Sequence, residues 1–238
     1  MNNNSENRYS KDEVVVKDGI TYLKSDMKPV KGIGYATYEN GQLSEEGKWI
    51  DGKEDGLYRW WYENGQLKWE VNFMDGKEDG LLRTWRENGE LIHEWNYKDG
   101  KKDELQRKWY ENGQLSSERN FKDGQKDGLH RSWHDNGQLW TEVLYRDGKE
   151  DGLYRSWYEN GALLCEENYQ DGKRHGLYSS WYEDGRIMYE TEFVNGTGVD
   201  KHYYENGQLR WELEYKDGEL ISEKLWDEAS KLVKGETY

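Results

Sequence analysis

Pairs of carboxylates recur at a fixed spacing along the chain, and they are the first side chains to consider for metal binding. Asp51 and Asp55 lie four residues apart in the segment Asp-Gly-Lys-Glu-Asp, and related segments follow it along the chain. Oxygen-rich loops bind Ca²⁺, but these segments lack the 12-residue loop ending in Glu that an EF-hand requires. We therefore expect the aspartates to support turns through local hydrogen bonds, and we expect no metal ion.

A second set of carboxylates occurs once per copy of a longer pattern, at Glu46, Glu70, Glu94, Glu118, Glu142, Glu166, Glu190 and Glu212. Glycoside hydrolysis needs two carboxyl groups whose environments differ, so that one is an acid and the other a base or nucleophile. Because the same repeat recurs along the chain, each of these glutamates has the same environment. We expect these glutamates to be solvated or to pair across strands.

Other side chains that could do chemistry are few. His130 and His134 would share one face of a strand, but no third metal ligand lies in the same segment. Cys165 is the one cysteine, which excludes an internal disulfide and a Cys-based zinc site, and we expect it to pack rather than react. No nucleophile elbow and no Gly-rich loop before a helix is found. The sequence therefore predicts that the protein is not an enzyme, with no catalytic residue and no cofactor.

The segments that carry these residues form an internal repeat. Tyr-Glu-Asn-Gly-Gln-Leu, or a close variant, starts at positions 38, 62, 86, 110, 134, 158, 182 and 204, so the period is 24 residues with a last gap of 22. An Asp-Gly pair lies between successive copies. Asn-Gly and Asp-Gly favour hairpin turns, and the segments between them are too short for helices. The predicted fold is all-β: an elongated, single-layer β-meander solenoid of about eight antiparallel hairpin units.

Two strand registers are compatible with the Asn-Gly turns. A two-residue turn at Asn64-Gly65 places Arg59 opposite Glu70, and the same pairing recurs along the chain. A three-residue turn with a glycine bulge instead places Leu57, Trp61, Leu67 and Phe73 on one face, with Tyr58, Trp60, Tyr62 and Glu70 on the other. We favour the second register because it collects the recurrent large apolar positions on one side of the sheet.

Composition alone resembles that of a disordered chain. Leu, Ile, Val and Phe make up 39 of 238 residues and the formal net charge is −15. The 13 Trp and 19 Tyr supply the missing apolar area, since each ring buries about 150–250 Å². The acidic balance argues against nucleic acid and anionic membrane surfaces as partners. No apolar run reaches the length of a membrane span and the first residues hold no hydrophobic signal core, so we expect a cytoplasmic chain.

The repeat divides the chain into four segments. We expect a polar, flexible N-terminus over residues 1–13, an N-terminal cap over 14–37, the repeat array over 38–219 and a C-terminal capping hairpin over 220–238. Capping segments are expected because the terminal units of a repeat array have no neighbour on one side.

The second turn of one unit carries a family resemblance. Tyr169-Gln-Asp-Gly-Lys-Arg-His-Gly176 resembles the core of the MORN repeat, and the added Tyr-Glu-Asn-Gly-Gln-Leu resembles the bacterial MORN-repeat variant family. Some members of that family are labelled YwqK-type antitoxins. The resemblance implies a hairpin array used for protein interaction or membrane-proximal scaffolding, and it implies no catalytic residue. Glu104 departs from the pattern, because a turn glycine is expected there.

The aromatic residues suggest where a partner could bind. On the favoured register one face carries the predicted partner-binding residues, which are Trp60, Tyr62, Trp140, Tyr154, Tyr158, Tyr178, Tyr182 and Met188. Tyr and Trp are frequent hot-spot residues, although cross-strand packing would explain the same stripe. Our hypothesis is a non-enzymatic scaffold that binds another protein along the sheet. The alternatives are an antitoxin or immunity protein that neutralises a toxin, an envelope or carbohydrate-binding module, and self-association.

Overall fold

The structure is a computed structural model that describes residues 7–194, 197–217 and 219–238. Its described residues contain no α-helix, one 3₁₀ turn (Lys11–Glu13) and 23 strands. The strands are β1 (Arg8–Ser10), β2 (Val14–Lys17), β3 (Ile20–Leu23), β4 (Gly32–Thr37), β5 (Leu43–Ile50), β6 (Lys53–Glu54), β7 (Gly56–Trp61), β8 (Leu67–Met74), β9 (Lys77–Trp85), β10 (Leu91–Lys98), β11 (Lys101–Lys102), β12 (Glu104–Trp109), β13 (Leu115–Lys122), β14 (Gln125–Trp133), β15 (Leu139–Arg146), β16 (Lys149–Trp157), β17 (Leu163–Gln170), β18 (Lys173–Trp181), β19 (Ile187–Val194), β20 (Thr197–Tyr203), β21 (Leu209–Lys216), β22 (Glu219–Trp226) and β23 (Leu232–Thr237).

The chain forms two compact units. The first comprises residues up to 115 together with 120–125, and the second comprises 116–119 together with 126–238. In the first unit, strands β4 to β12 are hydrogen-bonded in chain order, β1 is added in parallel to β4, and β2 and β3 form a separate hairpin. In the second unit, strands β14 to β23 pair antiparallel in chain order. The predicted all-β meander of hairpin repeats is confirmed.

The Asp-Gly turns are two-residue hairpin turns. Asp51 has φ +52° and Gly52 has φ +79°, while Ile50 pairs with Lys53 across the turn. Positive φ at both central residues is the signature of a type I′ turn, whose twist matches that of the flanking strands. The Gly76 N–H of the next such turn donates to a carbonyl oxygen of the preceding repeat, that of Glu54, at 2.8 Å.

The Asn-Gly turns have three residues and a glycine bulge, as predicted. The Tyr62 N–H donates to the Gln66 carbonyl at 2.8 Å, and the Gly65 N–H donates to the Tyr62 carbonyl at 2.9 Å. Gly65 has φ +84°, a conformation that glycine adopts at low cost. The Asn64 side chain completes the turn, because its Oδ1 accepts from the Gln66 N–H at 2.9 Å.

The predicted division of residues between the two faces is wrong, because a second bulge follows each of these turns. Trp61 pairs with Leu67 but Trp60 pairs with Trp69, which leaves Lys68 as an extra residue. The bulge shifts the pairing by one residue, so Arg59 lies opposite Glu70, as the rejected register required.

The two faces of the sheet therefore differ from the expectation. Phe73 shares a face with Tyr58, whose ring it contacts edge-on at 6.0 Å, instead of sharing one with Leu57. Leu57 is 37% exposed, whereas Tyr58 is 6% exposed. Trp60, one of the residues predicted to bind a partner, thus packs against the core of the first unit.

That core is built from rings laid across neighbouring strands. Its buried residues are Val30, Trp49, Tyr58, Val71 and Leu82. The Tyr58 ring contacts Trp49 at 5.4 Å, Trp60 at 4.4 Å and Phe73 at 6.0 Å between centroids. Aromatic pairs at these separations add to the free energy gained by burial alone.

The N-terminal residues pack onto this core. Tyr9, Val14 and Leu23 contact the buried cluster, and the Thr21 N–H donates to the Gly52 carbonyl at 2.8 Å. Val30 is fully buried beside them. Residues 1–6 of the predicted flexible N-terminus lie outside the described residues, and the proposed four-segment division of the chain stays a prediction.

Candidate functional site

The face of the sheet that carries the buried core in the first unit carries different side chains at the same repeat positions in the second unit. The position of Tyr58 and Leu82 in the first unit is filled by Tyr154 and Tyr178 in the second. Among the described residues of the second unit, Val143 is the one buried hydrophobic residue. The second unit therefore has no apolar core like that of the first.

Tyrosines recur on this face of the second unit, and we call the surface formed by the following residues the tyrosine face: Tyr145, Tyr154, Tyr169, Tyr178 and Tyr189. Their rings contact one another across strands, with Tyr154 and Tyr169 at 6.4 Å and Tyr178 and Tyr189 at 5.4 Å between centroids. Every described residue of the unit belongs to the sheet or to its turns, so the unit supplies no second layer over this face.

An ion pair is built into the tyrosine face. Glu167 is 5% exposed and lies opposite both Tyr154 and Tyr178 on the neighbouring strands. Its Oε1 accepts from the Tyr169 hydroxyl at 3.0 Å, and its Oε2 lies 2.7 Å from Arg174 Nε. The Arg174 N–H is not directed at Oε2, however, and that oxygen accepts no hydrogen bond.

A cleft of about 300 Å³ lies beside this ion pair. Arg174, Gly176, Tyr178, Tyr189 and Thr191 line it. The Arg174 guanidinium lies 5.6 Å from the Tyr178 ring centroid, which is a cation–π distance. Thr191 Oγ1 is buried and forms no well-aligned hydrogen bond, although it lies near enough to the Tyr189 hydroxyl to lower the pKa of that phenol. Thr191 lies opposite Tyr178, and Glu167 lies on the other side of Tyr178, so two oxygens that accept no well-aligned hydrogen bond flank this ring.

Burial changes the protonation equilibria of these groups. Desolvation is the main cause that raises the pKa of Tyr154, Tyr169 and Tyr178. It raises the pKa of Tyr189 to about 12, with a further contribution from the Asp200 carboxylate that accepts its hydroxyl at 3.0 Å. These tyrosines are neutral hydroxyl groups at physiological pH, because their phenols ionise only in strongly alkaline solution.

The turn tyrosines among the predicted partner-binding residues donate hydrogen bonds to the following repeat. The Tyr62 hydroxyl donates to the Trp85 carbonyl at 2.8 Å and the Tyr158 hydroxyl donates to the Trp181 carbonyl at 2.9 Å. The Tyr182 hydroxyl donates to a main-chain carbonyl of the following turn at 3.2 Å. Each connects the turn of one repeat to the next repeat.

The other predicted residues lie in three different settings. Trp60 belongs to the first unit, where it stacks on Trp69 at 4.0 Å and donates from Nε1 to a glutamate. Trp140, 48% exposed, and the half-buried Met188 are the extra residues of two bulges. Only Tyr154 and Tyr178 lie on the tyrosine face. The structure does not bring the eight residues together.

The residues considered for chemistry have structural contacts. His130 lies against the Tyr145 ring at 4.5 Å, whereas His134 Nε2 lies 3.0 Å from the Trp157 carbonyl oxygen. Cys165 Sγ lies 3.0 Å from a serine hydroxyl, and burial raises the pKa of its thiol. In the ranges that the structure describes, no group of three His, Cys, Asp or Glu side chains could hold a metal ion.

The repeated carboxylates also have partners. Glu70 pairs with Arg59 at 3.3 Å, and Glu166 pairs with Arg155 at 2.7 Å. In the Asp-Gly segments, Asp79 Oδ2 accepts from the backbone N–H of the next turn at 3.2 Å. The cross-strand and turn-supporting contacts agree with the interpretation of the sequence.

Sequence reasoning missed Glu167, Arg174 and Thr191. The repeat position of Glu167 and Thr191 carries Val71 and Val143 in two other repeats, but it also carries Arg119. The sequence pattern therefore gives no signal that the carboxylate of Glu167 is buried.

These features define a class, a β-hairpin repeat protein in which one unit has an aromatic core and the other has a tyrosine face without a second layer from its own described residues. A family model described as a MORN repeat variant matches seven consecutive segments, which are residues 54–75, 78–99, 105–123, 126–147, 150–171, 174–195 and 197–217. The segments cover more than half of the chain, and the chain belongs to the MORN repeat variant family.

Comparison with solved structures gives weaker likenesses. The chain is 11% identical to a chain in a crystal structure of TcdB2–TccC3–Cdc42, over 94% of this chain and 16% of that one, with a TM-score of 0.21. A structure of the Photorhabdus luminescens Tc holotoxin pore with a mutated TccC3 gives 11% identity, the same coverages and a TM-score of 0.19. The chain spans about one sixth of those chains, and such TM-scores support no argument about fold or function. No curated protein matches the chain.

Proposed function

We propose that the protein is a non-enzymatic scaffold and that the second unit binds a partner protein on the tyrosine face. MORN repeats are generally associated with protein or membrane interaction. The observation that carries the proposal is a row of half-buried tyrosines with no second layer from their own unit. Tyrosine supplies a large rigid contact area at a low cost in conformational entropy, which is why it is frequent at binding hot spots.

The charges of this face support a protein partner. The chain has a net charge of −15, yet several charged groups here occur in opposite pairs. Lys126 Nζ and Glu150 Oε1 both lie within hydrogen-bond distance of the Tyr145 hydroxyl, at 3.3 and 3.2 Å. Glu167 pairs with Arg174. Aromatic residues and arginine are enriched in the cores of protein interfaces.

Binding without catalysis is proposed because burial raises the pKa of the Cys165 thiol and so disfavours the nucleophilic thiolate. Cys165 contacts Ser156, and a serine hydroxyl does not remove a thiol proton at neutral pH. No helix of the structure's described residues is long and apolar enough to cross a membrane.

The test compares two sets of substitutions in the full chain. Tyr154, Tyr178 and Tyr189 are changed together to Ser, and the control changes the turn residues Tyr62 and Tyr158 to Phe. Proteins recovered from native cells are quantified by mass spectrometry, after circular dichroism has shown that both variants are folded. We expect a partner that the wild type and the control recover and the serine variant loses at least about tenfold, a loss of about 1.4 kcal/mol. Equal recovery by the two variants, or no reproducible partner, would refute the proposal.

A toxin is one class of partner, since the family includes proteins labelled as antitoxins. Cell growth distinguishes a toxin from other partners. Co-expression of the wild type would rescue cells from the toxin that it binds, and co-expression of the variant with three tyrosines changed to Ser would not. A partner that is bound without rescue would leave the scaffold proposal intact and remove the antitoxin role.

A further inference from the structure

Two buried oxygens that form no hydrogen bond flank the cleft beside Tyr178. They are Glu167 Oε2, whose one partner is the charge of Arg174 at 2.7 Å, and Thr191 Oγ1. They lie on strands β17 and β19, on either side of Tyr178 on β18. A buried polar group without a hydrogen bond is destabilising, so a ligand that donates to these oxygens would gain affinity from them.

The charge beside the cleft is negative. Glu167 and Asp200 carry two negative charges against the one positive charge of Arg174. Among the residues that the structure describes, no basic side chain lies within ion-pair distance of Asp200, whose Oδ1 accepts from the Tyr189 hydroxyl. A single added cation would neutralise the site.

The rings of this face already hold cations from the chain itself. Lys126 Nζ lies 4.4 Å from the Tyr145 ring centroid, and the Arg174 guanidinium lies 5.6 Å from that of Tyr178. The attraction arises because the face of an aromatic ring carries negative partial charge. The Arg174 side chain is 71% exposed, so an incoming cation can displace it and take over its interaction with the Glu167 carboxylate.

We infer that this cleft receives a lysine or arginine side chain of the partner, whose N–H groups donate to Glu167 and Thr191 while its carbon chain packs on Tyr178 and Tyr189. Ammonium and guanidinium groups donate and do not accept, which matches two unpaired acceptors. The inference rests on the proposed function and adds the chemistry that the partner presents.

The test uses small probes with the full-length protein. Nα-acetyl-lysine methylamide and its arginine counterpart are titrated, and binding is followed by the amide NMR signals of Tyr178, Tyr189 and Thr191. The norleucine and glutamate counterparts are the controls for the apolar chain and for negative charge. We expect saturable shifts with lysine and arginine that weaken as salt rises, and none with the two controls. Equal shifts with norleucine, or no shift with lysine at its solubility limit, would overturn the inference.

Substitutions separate a cation site from an anion site. Glu167→Gln keeps the shape and removes the charge, and we expect binding to weaken about tenfold. Arg174→Gln removes the competing cation but keeps a donor for Glu167, so binding should become several-fold tighter. A loss of binding in Arg174→Gln, with binding of the glutamate compound to the wild type, would instead identify an anion site and overturn the inference.

Two further variants test whether binding can be weakened without loss of stability and whether the effect is confined to the cleft. Thr191→Val replaces the hydroxyl by a methyl group of similar size and installs the residue that Val71 and Val143 provide in other repeats. It should weaken binding a few-fold without loss of stability, because a group with no partner is removed. Glu166→Gln changes a carboxylate on the opposite face of the same strand, where it pairs with Arg155, and should leave binding unchanged. An equal effect of Glu166→Gln and Glu167→Gln would contradict a local site.

The failure of this inference is distinguishable from that of the proposed function. A partner that the tyrosine substitutions release, but that binds Glu167→Gln as it binds the wild type, would retain the interaction face and reject the basic side chain. A partner that survives the tyrosine substitutions would reject the proposed function, whatever the lysine compound does.

Discussion

Replacement of Gly47 by alanine should displace the central ring of the first unit. A Cβ atom at Gly47 would lie 1.9 Å from Cδ2 and 2.0 Å from Cε2 of Tyr58. Heavy atoms without a bond between them approach to about 3.5 Å at closest contact, so the ring must move. Tyr58 is 6% exposed and contacts Trp49, Trp60 and Phe73, which leaves little space for that movement.

The size of the effect follows from the area of the ring. Full expulsion of Tyr58 would expose about 150–250 Å², which at about 25 cal/mol per Å² is about 4–6 kcal/mol. A ring that stays inside with its neighbours displaced costs about 1–3 kcal/mol. We expect Gly47→Ala to lower the free energy of opening around Tyr58 and Val71 by about 2–5 kcal/mol, between these limits.

The matched control is Gly235→Ala. Gly235 also lies in a strand without positive φ, but a Cβ there would come no closer than 3.6 Å to Leu232. Both substitutions restrict the unfolded chain equally, so their difference isolates the crowding in the folded state. We expect Gly235→Ala to be neutral or to stabilise by up to about 1 kcal/mol.

Native-state amide hydrogen exchange is the appropriate assay, because a repeat protein opens locally and a single unfolding midpoint would average over its units. The double variant Gly47→Val with Tyr58→Leu copies the pair Val71 and Leu82, which face each other at the same position of the next repeat. It should recover most of the loss. The reasoning is refuted by a Gly47→Ala variant within about 0.5 kcal/mol of the control, or by a double variant less stable than Gly47→Ala.

Three further predictions concern single positions. Glu104 has φ +57° where other repeats have glycine, so Glu104→Gly should raise the free energy of unfolding by about 0.5–1 kcal/mol, measured in urea. Tyr62→Phe removes the hydrogen bond to the Trp85 carbonyl and should cost about 1 kcal/mol by the same measurement. Arg86→Tyr should stabilise, because the buried Arg86 Nε has no hydrogen-bond partner and lies 3.8 Å from the Glu90 carboxylate. Burial lowers the pKa of His93 in the folded state, so the unfolded chain binds the proton more tightly. The His93 contribution to stability is therefore complete above about pH 6.5 and is lost on acidification below it, and His93→Gln should make the urea midpoint less dependent on pH in that window.

The hairpins and their turns could be predicted because they depend on local backbone preferences. Asp51-Gly52 and Asn64-Gly65 adopt positive φ at low cost, and that preference acts within four or five residues. The period of 24 residues then follows from repetition of the two turns. These local signals identified the family resemblance that the family match confirms.

The strand register could not be predicted, because no feature of the sequence distinguishes the bulge at Lys68 from a regular strand whose side chains alternate between the two faces. One extra residue moves each following side chain of the strand to the opposite face of the sheet. Tyr58 and Trp60 therefore share the core face with the residues that follow the bulge, instead of lying on an exposed face. The eight predicted partner-binding residues were chosen on that alternation. Two of them, Tyr154 and Tyr178, lie on the tyrosine face, and their role in binding stays a prediction.

The sequence by itself determined the elements, the hairpin pairing and the acidic, aromatic character of the protein, because turn preferences and composition are properties of short segments and of the whole chain. Only the tertiary structure decided which rings are covered and which carboxylate is buried. Burial depends on neighbours in adjacent strands: the Tyr58 ring is buried because Gly47 leaves room for it, and Glu167 is buried beside Tyr178 with one oxygen unpaired. The difference between a core and a binding face is thus a property of cross-strand packing, which the repeat pattern alone does not contain.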